Sequence, residues 1–352
     1  MTLRQFAPGI ESVPATTSWY LADLGEARGK QELFTRQSPQ KLKVLREHAL
    51  IESAVSSNRI EGVEVDQKRI GTIVFGRSHL RDRNEEEVRG YRDALKRIHE
   101  LGAKLPLSEA TIRDLHRLSR GGQGDAGRYK QKDSDIIEKL PDGRVRVRFK
   151  TVSAAKTAAC LKETIRLCNE QLTARQVHPL ILLAATNLDF LCIHPFRDGN
   201  GRVSRLLLLL QCYHLSFEVG RYVSLERVIE ENKERYYETL EESSQGWHDV
   251  RHDPWPYINY VLFILKTAYR EFEERAGQVK SPRGAKTALV EAAIAAFPGE
   301  FSLSDLERAC PGVSRDMIRR VLRDLQKAKR IVCLGRGPGA IWRKEGITLK
   351  RG

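Results

Sequence analysis

Two stretches of this chain, Leu180 to Ile193 and Val203 to Tyr213, are apolar on nearly every face. A helix with no polar stripe has to be surrounded by protein, so the two read as buried helices that other helices must wrap. They are joined by a loop dense in charge and glycine, His194-Pro195-Phe196-Arg197-Asp198-Gly199-Asn200-Gly201-Arg202. The expected fold class is mainly α. At 352 residues the chain is long enough for two or three units.

Amphipathic helices surround this pair. From Pro39 to Ile60, Leu42, Leu45, Ala49, Leu50 and Ala54 recur at helical spacing, and Gly62 stops the helix. Further helices are expected over about 85–101, 108–118, from Ala154 onward, 225–240 and 255–275. Residues 127–150 differ. Asp135-Ile136-Ile137, the turn Pro141-Asp142-Gly143 and the alternating Arg144-Val145-Arg146-Val147-Arg148-Phe149 predict a β-hairpin, first of all an edge with one wet face. A linker is expected at 276–285. Beyond it come helices at 288–297 and 304–309, a turn at Pro311-Gly312-Val313, and a helix capped by Ser314 that runs to about Lys329. A short hairpin with the tip Gly335-Arg336-Gly337-Pro338-Gly339 follows, the pattern of a winged helix-turn-helix.

Charged residues are 30% and apolar residues 41%, an ordinary globular balance. No apolar run reaches the roughly twenty residues of a membrane span, and the first residues lack a signal-peptide core, so a cytoplasmic location without a membrane partner is expected. The six cysteines are scattered, with no Cys-x-x-Cys pair, and read as reduced core residues. Of the net +14, the segment 280–352 contributes +9, from 16 Lys and Arg against 7 Asp and Glu. A polyanionic partner such as nucleic acid and a merely solvated basic face both fit that excess.

The loop carries the chemistry. Gly199-Asn200-Gly201 ahead of a long helix permits close backbone approach, and the free N–H groups of the helix start form an anion site suited to phosphate. Arg202 and Arg205, three apart, add guanidinium groups on one face. Asp198 is a hard oxygen ligand suited to magnesium. His194 is the nearby group able to take a proton near neutral pH. Together they describe transfer from a nucleotide.

Residues 194–205 fit every specified position of the pattern His-Pro-Phe-x-Asp/Glu-Gly-Asn-Gly/Lys-Arg-x-x-Arg, and on that motif the chain closely resembles the Fic family. The resemblance runs from about residue 40 to 275 and implies a Fic catalytic core with a β-hairpin flap (106–275) behind an N-terminal helical region (1–105); with the linker (276–285) and the winged helix-turn-helix domain (286–352) read from the pattern above, the chain has four parts. The resemblance implies a protein adenylyltransferase. His194 would deprotonate a Ser, Thr or Tyr hydroxyl of a target protein, which attacks the α-phosphate of ATP. Asp198 would hold Mg2+; Gly199, Asn200, Gly201 and Arg202 would bind the α- and β-phosphates, and Arg205 the γ-phosphate. Phe196 would anchor the loop. Ile136 and Ile137 of the flap would lie near the nucleotide, and Tyr236 and Tyr237 read either as adenine neighbours or as ordinary half-buried aromatics.

Ser57-Asn58-Arg59-Ile60-Glu61-Gly62 fits the inhibitory motif Ser/Thr-x-x-x-Glu-Gly/Asn of many Fic proteins. The resemblance implies that Ser57, Glu61 and Gly62 form a built-in inhibitor in which Glu61 pairs with Arg205 and occupies the γ-phosphate site. Relatives often form homodimers. Two alternatives stay open: a DNA-binding transcriptional regulator that uses the Fic unit as nucleotide sensor, with Arg315, Arg319, Arg320, Arg323 and Arg336 as DNA contacts, and a Fic enzyme with de-AMPylating or other nucleotidyl-transfer activity.

Overall fold

The computed structural model describes residues 1–35, 39–76, 79–122, 124–139, 143–277, 285–297, 299–310, 313–335, 337 and 339–345. Short α1 (Thr2–Gln5) and α2 (Ala15–Thr35) precede α3 (Pro39–Ile60), α4 (Ile70–Phe75), α5 (Arg83–Leu101) and α6 (Glu109–Ser119). Asp82 and Ser108 accept from the Glu85 and Thr111 N–H groups and start α5 and α6. Gly62, at φ +79°, takes the left-handed conformation that turns the chain just past α3.

The hairpin forms from β1 (Ile136–Lys139) and β2 (Val145–Phe149), antiparallel, with Ile137 opposite Val147. Of its expected turn, residues 141 and 142 lie outside the described residues. Next come α7 (Ala154–Ala174) and the two apolar helices, α8 (Pro179–Ile193) and α9 (Asn200–His214). Every residue of α8 from Leu180 to Ile193 is buried, as its sequence requires. Helices α6 and α8 flank α9, and α7 covers α8. Asp189, fully buried on α8, accepts from the Thr2 and Leu3 N–H groups at 2.6 and 3.0 Å and from Trp247 Nε1 at 2.6 Å, which ties α1 onto the core.

The single helix expected over 225–240 is two, α10 (Leu225–Glu231) and α11 (Lys233–Ser244). Asn232 breaks it: its backbone leaves helical geometry and its side chain donates to the Val228 carbonyl at 2.8 Å. Helix α12 (Trp255–Gly277) then packs along α2 and α11.

Most of the expected linker lies outside the described residues. The C-terminal unit holds α13 (Ala285–Ala296), β3 (Phe301–Ser302), α14 (Leu303–Ala309), α15 (Arg315–Lys327), β4 (Ile331–Cys333) and β5 (Ile341–Lys344), with sheet order β3-β5-β4. Strand β3 is additional to the sequence reading; with two residues it has no periodicity to detect. Ser314 stands at the start of α15 but its side chain makes no capping bond, whereas Ser302 and Asp305 form a full capping box on α14. This unit has its own apolar core, which Val44 of α3 joins. Among the described residues no helix is long and apolar enough to cross a membrane, and all six cysteines are free thiols.

Candidate active site

His194 ends α8 in the left-handed conformation, φ 52° and ψ 61°, with its N–H on the Phe190 carbonyl. Its Nδ1 lies 3.3 Å from the Leu191 carbonyl. A carbonyl only accepts, so Nδ1 carries the proton and Nε2 presents a lone pair. Burial, with the nearby Lys130 cation second, pushes the imidazole down to about 4, so it is neutral at physiological pH.

The loop is closed on itself and braced from below. The Asn200 side chain accepts from Phe196 N at 2.9 Å and donates to Phe196 O at 2.8 Å. Phe196 is fully buried and stacks on His116, ring centroids 3.7 Å apart at 5°. His116 Nδ1 accepts from the Gly127 N–H, so its Nε2–H donates to the Asp198 carbonyl at 3.0 Å. Lys130 donates to the Ile193 carbonyl, and its own N–H bonds the Pro195 carbonyl. Asn200 therefore serves the loop with its side chain, and only its backbone is left for a ligand. Gly199, at φ +82°, starts α9, and no side chain caps that first turn.

Arg202 and Arg205, expected to act together, are separated. Arg202 is 1% exposed and donates to Glu87 at 2.7 Å and to Asn58 at 3.3 Å. Glu87, itself buried, also accepts from Arg120 at 2.8 Å and Arg83 at 3.0 Å. Arg120 and Arg83 reach on to Asp198 at 2.7 and 3.2 Å. Burial would raise the Asp198 carboxyl, but Arg120, Arg202, the Gly199 N–H and Arg83 outweigh it and hold it below its usual range. The Arg202 guanidinium thus sets the position of the loop. Glu87, Arg120 and His116 were not singled out from the sequence, because nothing in their local spacing marks them.

A buried carboxylate shared by three arginines is expected to be sensitive to removal, since each guanidinium would be left under-paired. Glu87→Ala should lower the unfolding free energy by about 3–5 kcal/mol, read from urea unfolding. A loss below about 1 kcal/mol would show that the network is solvated.

Arg205 faces the other way. Its Nη2 donates to Glu61 at 2.8 Å and to the Ser57 carbonyl at 2.9 Å, and its Nε to Ser57 Oγ at 2.8 Å. Nη1, equally buried, finds no acceptor among the described residues. Glu61 lies against the first turn of α9, where a Cβ on Gly201 would collide with its carboxylate. Gly62 takes part only through its backbone turn.

One cavity of about 380 Å³ is lined by His194, Gly201, Glu61, the flap residues Ile136 and Ile137, and the pair Tyr236 and Tyr237; Arg205 lies behind Glu61 and Gly201 rather than in its wall, and Asp198 opens with Arg83 and Arg120 onto a separate one. Tyr236 is buried and meets Tyr237 edge to face, ring centroids 5.1 Å apart. The flap is tied to α11: both Arg146 and Arg148 reach Glu241. Where one wet face was expected both are exposed: Ile137, Val145 and Val147 are about half exposed, and so is Arg146. A two-stranded sheet has no second layer to cover them.

Residues 106–212 match the Fic/DOC family. The chain carries a Fic domain. It is 25% identical over 219 residues to the protein adenylyltransferase Fic of Nematostella vectensis, covering 58% of this chain and 44% of the relative. It is 29% identical over 197 residues to the protein adenylyltransferase fic-1 of Caenorhabditis elegans, covering 54% and 34%. The match thus spans less than half the length of these relatives. A Fic family protein from Desulfovibrio desulfuricans superposes with a TM-score of 0.60 at 23% identity, over 95% of this chain and 97% of that one. A Fic-domain signalling protein from Bacteroides thetaiotaomicron gives 0.61 at 20% identity, over 73% and 98%. At these identities the likeness establishes the fold, a mainly helical Fic core with its hairpin.

In the C-terminal unit, the α15 arginines are exposed. Arg315 pairs with Glu307, Arg319 with Asp316, and Arg320 contacts Met317 Sδ. Arg323 is exposed on the same helix, and Arg336 lies outside the described residues.

Proposed function

We propose that this protein transfers AMP from ATP to a hydroxyl side chain of a target protein, and that Glu61 holds the activity down. The observation that carries the reading is the shared cavity: the Nε2 lone pair of His194 and the uncapped first turn of α9 open onto the same space. A phosphate seated on the Gly199–Gly201 backbone would lie against the positive end of α9. His194 Nε2 takes the hydroxyl proton as the oxygen attacks the α-phosphorus. The bond from that phosphorus to the bridging oxygen breaks, and its electron pair leaves with pyrophosphate.

Arg205 Nη1, buried without an acceptor, suits the γ-phosphate. Asp198 is a half-exposed, ionised carboxylate of the kind that holds Mg2+ together with substrate phosphates, and it would take such an ion by giving up Arg83, the more exposed of the two arginines on its Oδ2. A bound magnesium would neutralise phosphate charge. The uncovered apolar hairpin supports docking of a target segment as an added strand beside the cavity.

The names of the two relatives agree with this reading. The discriminating experiment incubates the full chain bearing Glu61→Gly with magnesium and ATP labelled at the α- or at the γ-phosphate. Label from the α-position alone is expected on protein. Label from the γ-position would instead mean phosphoryl transfer.

A further inference from the structure

Helix α3 belongs to two parts of the molecule. Its end presents Ser57 to Arg205, with Glu61 just beyond it, while its first half lies against the C-terminal unit. There Val44 enters that unit's core, and His48 meets Phe297 edge-on, ring centroids 5.7 Å apart at 82°. Beside this contact is a cavity of about 290 Å³, with an apolar side of Ile51, Ile70, Phe75 and Phe297 and a polar rim that includes Gln67, Asp305 and Arg308. Its volume lies at the lower end of small-molecule sites.

Two features of the cavity are unsettled in the free protein. His48 is 3% exposed and lines the space, yet its Nε2 has no hydrogen-bond partner among the described residues. Phe75, at the same wall, is 41% exposed although it is a large apolar side chain. Burial keeps the His48 imidazole neutral, pushed down to about 4. Lone buried polar atoms are rare, because such an atom has given up its hydrogen bonds to water and gained none in exchange. One molecule with an apolar ring and a single polar group satisfies both.

We propose that the cavity between α3, α4 and the C-terminal unit binds a small aromatic molecule carrying one hydroxyl or N–H group, with that group on His48 Nε2 and its ring against Phe75 and Phe297. His48 lies nine residues before Ser57 on the same helix, about 14 Å along it. Occupancy therefore acts on the helix that offers Ser57 and Glu61 to Arg205. That consequence rests on the transfer reading; the binding itself does not.

The test uses 2-naphthol, whose hydroxyl can donate to or accept from either imidazole tautomer, and follows its binding to the full chain by calorimetry and fluorescence. Saturable one-to-one binding is expected. A Cβ on Gly71 of α4 would meet only Asp305 Oδ1, at 3.8 Å, so Gly71→Leu extends into the cavity without a backbone clash and should abolish binding. His48→Phe keeps the aromatic wall and removes the nitrogen; it should weaken 2-naphthol about tenfold while leaving naphthalene unchanged. Thermal unfolding of both variants verifies that they fold. No saturable binding to the wild type, or binding retained in Gly71→Leu, overturns the site, and equal 2-naphthol affinity in His48→Phe overturns the role of Nε2.

Discussion

His194→Ala is expected to bring AMP transfer in the Glu61→Gly background down by about 10²–10⁴-fold, the usual contribution of a positioned general base. The Leu191 carbonyl dictates which nitrogen is free, and burial dictates that it is free at neutral pH. The second imidazole nearby cannot substitute. His116 spends Nδ1 on the Gly127 N–H and donates from Nε2 to the Asp198 carbonyl, so it has no lone pair to offer. Mass spectrometry of the protein after incubation with ATP reads the loss, and labelling that persists would remove His194 from the mechanism. The ring also makes a pH prediction. Its folded value of about 4 lies below the ordinary 6.5, so the charged form is disfavoured and the base stays neutral as pH falls through 6.5. NMR titration of the nucleotide-free protein should place its midpoint near 4, and a midpoint near 6.5 would mean an imidazole open to water.

Glu61→Gly is expected to raise transfer by about 5–150-fold, the range of a coupling free energy of 1–3 kcal/mol. The Glu61 carboxylate, which lines the cavity, holds the buried Arg205 guanidinium behind it. It also crowds Gly201, where a phosphate would approach the first turn of α9. On the proposed reading an anionic γ-phosphate would compete with this carboxylate for Arg205, and a nucleotide shifted by the competition would lose the in-line geometry that transfer needs. Without Glu61, Arg205 keeps Ser57 as its one hydrogen-bond partner among the described residues, and a buried charge with fewer partners destabilises the protein. Two readouts follow from one substitution. Labelling with α-labelled ATP should increase, and the melting temperature should fall without nucleotide yet rise more steeply on adding ATP than in the wild type. Unchanged labelling together with an unchanged response to ATP would mean that the Glu61–Arg205 pair is structural only.

The two predictions differ in how they could be read from sequence. His194, Asp198, Gly199 and Gly201 are neighbours in the chain, and the chemistry of a phosphate-binding loop is local. The apolar helices α8 and α9 were equally legible, because a helix without a polar face has only one place to be. Glu61 was found through its motif, but its reach to Arg205 is a contact between residues 144 apart.

What tertiary structure alone decided is the division of labour among like charges. Arg202 and Arg205 look equivalent at i and i+3 and both are buried, yet packing gives one to Glu87 and the other to Ser57 and Glu61. Glu87 and Arg120 become a brace only because α5 and α6 meet under the loop. The break at Asn232 turns on a side chain competing with the helix for the Val228 carbonyl, a contest that helical periodicity does not register. The double use of α3, under the Fic loop at one end and in the C-terminal core at the other, depends on where two units come to rest. Local propensity and pattern specify elements and a compact loop; which charge is buried beside which partner is set by packing between distant segments, where desolvation makes each pairing decisive.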